Sequence, residues 1–298
     1  MTWIFLAILA HFIWAVSSIG EKYLVSKRID PYVYTVWFAF FGLAIGLLML
    51  PFVDIFLLRL DTLLWLTLCG ALYFYGGLPY IKAMQIEEPT RISIWWNTIP
   101  IFSLFLGFIF FKESFSSIQL IAFIFLVSGA FAASIHFKQK NFVFSKAVIL
   151  MIMASFCYAL YAVIFHHAVQ GVSFVSAFVV TQLSMFIFAL TLFLHPGFRK
   201  IHRKEYKNIN KNIITLVGGV SALDILGMFF NQWALVFGVA ALVFAMEGSQ
   251  MIFVFIIATL LSIFYPRIVK EKLDKKNILL KLTALMFMIV GILILNLG

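Results

Sequence analysis

The chain has 298 residues, of which 64% are hydrophobic and only 11% are charged. This composition excludes an ordinary soluble domain, which needs more polar surface, and predicts an integral membrane protein. The net charge of +10 does not indicate a nucleic-acid partner, because the basic residues fall in short loops instead of covering one face of a soluble fold. Cys69 and Cys157 lie within apolar runs, so we expect neither a disulfide framework nor a cysteine metal site.

Ten apolar runs follow one another along the chain, each close to the roughly 20 residues that cross a bilayer as a helix. A spanning backbone must satisfy its own hydrogen bonds, so the runs predict an all-α membrane protein with ten transmembrane helices. No basic segment precedes the first run, which we expect to be a span and not a cleaved signal. The predicted spans are Thr2–Leu24, Tyr32–Leu58, Leu63–Met84, Ile92–Phe111, Ile118–Phe137, Lys146–Ala168, Phe174–Leu194, Ile213–Phe237, Val239–Tyr265 and Ile278–Leu297.

The breaks between runs differ in length. The longest is the polar run Arg199–Asn212, which we expect to be a loop. The shortest is Gly238, which separates the eighth and ninth runs and predicts either a tight hairpin or one long bent helix. Of the 22 lysines and arginines, all but Arg59 and Lys112 fall in or beside the loops that follow odd-numbered spans. The positive-inside rule therefore places these loops in the cytoplasm and both termini outside.

The two halves of the chain repeat each other. Aligning Phe12 with Phe156 places Trp14 on Tyr158, and later segments match in the same order. We therefore divide the chain into residues 1–140 and 141–298, each with five predicted spans. Two consecutive copies of a unit with an odd number of spans must have opposite orientations in the membrane, which predicts a 5+5 inverted repeat.

Several helix positions carry recurring residues. In the first half these are Trp14, Ala15, Lys22, Ala83, Pro100, Lys112, Glu113 and Gly129. In the second half they are Tyr158, Ala159, Ala234, Glu271 and Gly291, and Met251 stands where a second proline would align. In order and spacing these residues resemble the EamA branch of the drug/metabolite transporter superfamily.

The resemblance implies a secondary transporter that works by alternating access, with its substrate site between the two repeats. EamA-type proteins move amino acids, other metabolites and drugs, so the resemblance does not name a substrate. Members of this family usually keep both termini in the cytoplasm, whereas the charges here predict external termini.

Two acids fall inside predicted spans, where a charged carboxylate costs roughly 2.5–3.5 kcal/mol or more. Asp224 aligns with Tyr73 of the first half, and Glu247 aligns with Trp96. Each acid is a candidate for proton coupling or for contact with a cationic group. The structural alternative for Asp224 is a bond to Ser221 or to a neighbouring helix. The alternative for Glu247 is helix–helix contact through Ser249 and Gln250. The candidate substrate-binding or coupling residues are Asp224, Glu247, Trp14, Tyr73, Trp96, Asn97, Tyr158 and Gln250.

Aromatic residues make up 18% of the chain, and many are expected in the interfacial belts of a membrane protein. The repeat places Trp14, Tyr158 and Trp96 near the middle of their helices. Beside the acids, such rings favour an organic cation through cation–π contacts, although an aromatic or apolar amino acid is the alternative.

The remaining polar residues are expected at helix ends. We expect His11 and the pair His166-His167 to cap helices, and adjacent histidines point to different helix faces, which argues against zinc. Glu21 is expected to be an interfacial anchor or part of a gate. The sequence therefore predicts no cofactor and no metal.

Other classes of protein are weighed against a transporter. The chain has no HExxH, GxSxG or acidic metal-binding motif and no Walker A sequence, so we expect neither an enzyme nor an ATP-driven pump. An exporter of drugs or toxic metabolites and a lipid flippase remain alternatives. The expected partners are a small-molecule substrate, a coupling proton or ion, and the lipid bilayer. The expected location is the bacterial inner membrane, as a monomer or homodimer.

Overall fold

The computed structural model describes residues 2–53, 55, 58–86, 95–134, 146–264 and 275–295. Within these ranges the chain is helical and contains no β-strand. Short 3₁₀ turns, Leu50–Phe52 and Thr191–Leu194, extend the second and seventh helices. The α-helices are α1 (Thr2–Lys27), α2 (Pro31–Met49), α3 (Leu60–Ile86), α4 (Thr98–Phe111), α5 (Ser117–Ser134), α6 (Lys146–Ala168), α7 (Phe174–Leu190), α8 (Pro196–Asn208), α9 (Lys211–Phe237), α10 (Ala240–Ala245), α11 (Glu247–Phe264) and α12 (Lys275–Leu295).

Among the described residues, six segments are long and apolar enough to cross a membrane, so the chain is an all-α, multi-pass membrane protein. They contain α1, α2, α3, α6, α7 and α9. The other four predicted spans hold shorter apolar stretches, at Thr98–Phe111, Ser117–Gly129, Ala240–Val254 and Leu285–Ile294. The prediction of ten crossings stays a prediction. Parts of those four spans, at residues 92–94, 135–137, 265 and 296–297, and the predicted boundary between residues 140 and 141 lie outside the described residues.

Local sequence explains where several helices begin. The Asp30 carboxylate accepts hydrogen bonds from the backbone N–H groups of Tyr32 and Val33 at the start of α2, and Pro31 occupies the first helical position. Asn210 caps α9 in the same way, by accepting from the N–H of Ile213 at 2.9 Å. Both caps satisfy N–H groups that have no partner within the helix.

The polar run Arg199–Asn212, which we expected to be a loop, contains helix α8. Pro196 begins this helix, and Phe198 is buried against Phe193. Apolar and basic residues alternate with helical periodicity in this run, so one face packs on the protein while the other meets solvent. The exposed basic residues of α8 are Arg199, Lys200, Arg203, Lys204 and Lys207.

The environment of α8 shifts the pKa values of two of its side chains. Partial burial lowers the pKa of the His202 imidazole. Burial, together with the nearby charge of Asp30 at the start of α2, raises the pKa of the Glu205 carboxyl. Both groups lie outside the six candidate spans. Helix α8 also contacts α2.

The two halves of the chain pack against each other in reciprocal pairs. Helix α1 of the first half packs along α9 of the second, and α3 of the first half packs along α6 of the second. Likewise α4 contacts α6, and α11 contacts α1. In addition, α2 packs on α7 and α5 packs on α12, which are pairs of helices that the predicted repeat aligns with each other.

Two helix breaks lie at matching places in the halves. A helical turn at Trp95 and Trp96 stops at Asn97 before α4 begins, and α10 stops at Met246 before α11 begins. Both break residues keep φ near the helical value but have ψ close to zero, at −5° for Asn97 and −4° for Met246. Farther upstream, Gly238 and Val239 are extended, so α9 and α10 are not one bent helix.

Candidate functional site

Helices from both halves line a partly open cavity with a volume of about 100 Å³. This volume corresponds to roughly seven to ten water molecules, or to a small solute. Of the residues predicted to form the site, Asn97 is buried at the break before α4. The others line the cavity: Trp14, Tyr73, Trp96, Tyr158, Asp224, Glu247 and Gln250.

The cavity holds a pair of acids, one from each half. Asp224 lies at the middle of α9, and its carboxyl group shares a hydrogen-bond partner with that of Glu21 on α1. The Tyr34 hydroxyl bridges them, 3.1 Å from Oε1 of Glu21 and 3.3 Å from Oδ2 of Asp224. Both acids and Tyr34 are buried. Two like charges are thereby held together in an apolar surrounding, which is unfavourable without a cation or a proton.

Further hydroxyl groups hold the two acids in place. Ser17 donates to Oδ1 of Asp224, and Tyr80 of α3 donates to Oε2 of Glu21 at 2.8 Å. The Trp14 indole donates to the backbone carbonyl of Asp224 at 3.1 Å. Of the two structural alternatives for Asp224, a bond from Ser221 is not observed, since Ser221 Oγ has no hydrogen-bond partner among the described residues. Bonds from neighbouring helices are observed, through Ser17 and Tyr34.

Glu21 is the main residue that the sequence prediction missed. We expected it to be an interfacial anchor because it lies near the end of a span, yet it faces the cavity. The spacing of Trp14, Ser17, Ser18 and Glu21 gave a usable signal, since positions i, i+3, i+4 and i+7 share one helix face. All four line the cavity.

The second predicted acid lies elsewhere on the same cavity. Glu247 begins α11, directly after the break at Met246. Its Oε2 lies 3.6 Å from Nδ1 of His11, and the His11 ring meets Trp14 edge-on. The expectation that His11 caps a helix end is wrong, because His11 lies inside α1 and is fully buried.

Aromatic rings form a continuous wall of the cavity. Tyr80 contacts Trp96 with 4.8 Å between ring centroids, and Trp96 contacts Tyr158 at 5.3 Å. Tyr73 then lies 5.0 Å from Tyr158 and 5.2 Å from Tyr161. These rings face an internal cavity, so the interfacial belt does not explain their positions.

The lining therefore combines acids, hydroxyl groups and aromatic faces. Among the described lining residues none is lysine or arginine. Carboxylates attract cations, and the electron-rich faces of Trp and Tyr add cation–π attraction. The site is chemically suited to hold a cation or a proton, and less suited to hold an anion.

Comparisons with known proteins agree with this architecture. Residues 1–135 match the model described as the EamA-like transporter family, which is part of the drug/metabolite transporter superfamily. This match confirms the resemblance for the helix motifs of the first half of the chain. A solved structure titled "Crystal structure of protein" superposes with a TM-score of 0.66 at 14% identity, covering 99% of this chain and 95% of that one, which supports the fold alone. The comparison with curated proteins found no match.

Proposed function

We propose that this EamA-like chain is a secondary transporter that carries a small organic cation or zwitterionic metabolite across the membrane. The observation that supports the proposal is the buried pair of Glu21 and Asp224, bridged by the Tyr34 hydroxyl, inside a cavity whose described lining has no lysine or arginine. A membrane protein keeps such a costly pair where it is needed for binding or coupling.

The acid pair offers a simple coupling scheme. One proton or one cationic group offsets the repulsion between Glu21 and Asp224, so the two ligands compete for the same place. A carrier that must hold one or the other in order to change conformation exchanges substrate for protons. Tyr34 contacts both carboxyl groups and would keep them together in either state.

The aromatic wall narrows the substrate class. Rings of Tyr80, Trp96, Tyr158 and Tyr73 follow one another around the cavity. Such walls bind quaternary or alkylated amines, whose charge is spread over an apolar surface. The cavity volume of about 100 Å³ favours a small amine over a lipid. A zwitterionic amino acid fits the same chemistry, with its amino group at the acids.

The same proposal includes a 5+5 inverted repeat of ten spans. The reciprocal contacts of α1 with α9 and of α3 with α6 support it, because a pseudo-two-fold axis exchanges these pairs. The matching breaks at Asn97 and Met246 support it further, since transporters place discontinuous helices at their binding sites. Alternating access would then be a rocking of the two halves around the cavity.

We place the protein in a bacterial inner membrane, with the loops after odd-numbered spans in the cytoplasm. The exposed basic residues of α8 follow the seventh predicted span and support this orientation. The same helix would lie along the membrane surface, where its basic side chains meet anionic headgroups.

The test is uptake by proteoliposomes that contain the purified protein. Quaternary amines, amino acids, nucleosides and a fluorescent phospholipid are offered separately, with and without an imposed pH gradient. We expect saturable uptake of a small amine that the pH gradient accelerates. Uptake of nucleosides alone, or phospholipid movement without amine uptake, would overturn the proposal, the latter in favour of a flippase. Liposomes that carry the Asp224→Asn variant are the matched control for leakage.

A further inference from the structure

Outside the cavity, three side chains of types that can bind a metal ion lie close together near the ends of α4 and α6. Glu113 follows α4, and His166 and His167 lie in the last turn of α6. One donor atom of each residue lies within 4.8 Å of the others. The expectation that adjacent histidines cannot serve one site rested on their directions along the helix. Glu113 approaches from another helix, and the two rings lie only 5.1 Å apart.

We propose that Glu113, His166 and His167 bind one Zn²⁺-class transition-metal ion. Two imidazoles and one carboxylate form a donor set that suits zinc and similar ions, whereas magnesium and calcium prefer oxygen ligands alone. Such a set leaves coordination positions for water, which fits the half-buried setting of the two histidines.

The Glu113 carboxylate is positioned by the backbone around it. Lys112 has a left-handed conformation with φ 54°, and the N–H of Glu113 donates to the carbonyl of Gly107 at 3.1 Å. The chain thereby folds Glu113 back over α4, into space that a Cβ atom at Gly107 would fill. The Glu113 side chain is only 7% exposed, and Oε2 has no hydrogen-bond partner within the described ranges. A buried carboxylate oxygen without a donor is a site that a cation can occupy.

The histidines are also held in place. Nδ1 of His166 lies 2.6 Å from the carbonyl oxygen of Leu235, and a carbonyl can only accept, so Nδ1 carries the proton. In its neutral form a ring with this tautomer has its lone pair on Nε2, which is the arrangement common among metal-bound histidines. His167 stacks on Phe111 with 3.9 Å between centroids, and its Nε2 lies 2.8 Å from Oε1 of Glu113.

Electrostatics also favours a cation here. Helices α4, α6 and α9 all end near this cluster, at Phe111, Ala168 and Phe237. The carboxyl end of a helix carries a partial negative charge, and three such ends add to the charge of Glu113. The neighbouring cation, Lys112, is exposed to solvent. A metal ion bound at this cluster would join α4 of the first half to α6 of the second.

The experiment measures metal binding directly and does not depend on transport. Purified protein without a polyhistidine tag is titrated with Zn²⁺ against a chromophoric chelator, and Co²⁺ is added separately to record its visible absorption. We expect one Zn²⁺ per chain and a rise in Tm on binding. Because even indirect partners of a metal site change affinity roughly 10- to 100-fold, Glu113→Gln, His166→Gln and His167→Gln should each weaken binding at least about 100-fold.

Two further variants sharpen the result. Gly107→Ala removes no donor atom but displaces the Glu113 carboxylate, so it should weaken zinc binding as well. His195→Gln removes an exposed histidine outside the cluster and should leave affinity unchanged. Failure of the unaltered protein to bind one Zn²⁺ per chain would overturn the proposal without reference to any variant. The proposal would also be overturned if the three ligand variants bound Zn²⁺ as tightly as the unaltered protein.

Discussion

Glu21 and Asp224, which come from opposite halves of the chain, are joined by the hydroxyl of a single tyrosine. Tyr34 lies 3.1 Å from the first carboxylate and 3.3 Å from the second. Neither half of the protein can form this arrangement alone, because α1 supplies one acid and α9 the other. A movement of one half relative to the other changes the distance between the two charges, which is a direct physical route from conformation to affinity for a cation.

Glu21→Gln and Asp224→Asn each keep the shape of the side chain and remove its charge. A hydrogen bond to a charged group contributes about 1.5–3 kcal/mol, so we expect the KM for the transported amine to rise roughly 10- to 100-fold in each variant. Acceleration of uptake by a pH gradient should also disappear. The measurement is initial uptake rate against amine concentration in proteoliposomes, at several pH values.

Asp61→Asn is the matched control for these variants. Asp61 is exposed in the first turn of α3 and pairs with Arg59 at 2.8 Å, so its loss should leave the kinetics unchanged. If Glu21→Gln and Asp224→Asn both kept the wild-type KM and the wild-type response to pH, the acid pair would have no role in transport.

Tyr34→Phe removes only the bridging hydroxyl. We expect slower transport and a loss of about 1–3 kcal/mol of stability, because two buried carboxyl groups lose a shared donor. Tyr75→Phe is the comparison, since the Tyr75 hydroxyl bonds only to Thr191 at 2.8 Å among the contacts described and lies outside the cavity. Thermal unfolding in detergent and uptake rate are measured for both. An equal effect of the two substitutions would contradict a special role for the bridge.

Much of the site could be predicted from the sequence. Acids inside apolar spans are costly wherever they occur, which identified Asp224 and Glu247 without a structure. The internal repeat identified Trp14, Tyr73, Trp96 and Tyr158 because it aligned them with each other or with the acids. All six line the cavity.

The missed residues depend on contacts between helices. Tyr34 gives no signal in its own segment, and its role appears only when its hydroxyl reaches Glu21 on α1 and Asp224 on α9. Glu21 and α8 were missed for another reason. Glu21 follows Trp14, Ser17 and Ser18 at helical spacing, and the apolar residues of α8 recur at helical spacing too, but the prediction did not use either pattern. The convergence of Glu113 with His166 and His167 depends on the backbone turn at Lys112, which spacing alone does not reveal.

Close helix packing gives a prediction about stability. A Cβ atom on Gly70 would lie 2.7 Å from the backbone nitrogen of Met185 and 2.7 Å from the carbonyl oxygen of Thr181. Backbone atoms cannot move aside cheaply, so Gly70→Ala should separate α3 from α7 and cost about 1–3 kcal/mol. The check is the Tm of the purified protein in detergent.

Gly219→Ala is the matched control for that substitution. Gly219 lies within α9, and nothing surrounds its Cβ position within 4 Å. Alanine favours a helix over glycine by about 1 kcal/mol, so this variant should be as stable as the wild type or more so. A Tm that fell equally in both variants would show that the close approach of α3 to α7 does not limit stability.

The charge distribution predicts the orientation of the whole protein. A green fluorescent protein fused after Gly298 should stay dark, and an alkaline phosphatase at the same place should be active, because the positive-inside rule places both termini outside. Fusions after Asn208, at the end of the basic helix α8, should give the opposite result. A fluorescent C-terminal fusion would contradict the orientation and would place the exposed basic residues of α8 on the outer surface. In that event Glu113, His166 and His167 would face the cytoplasm, so the reporter experiment also decides which side of the membrane could supply the proposed metal.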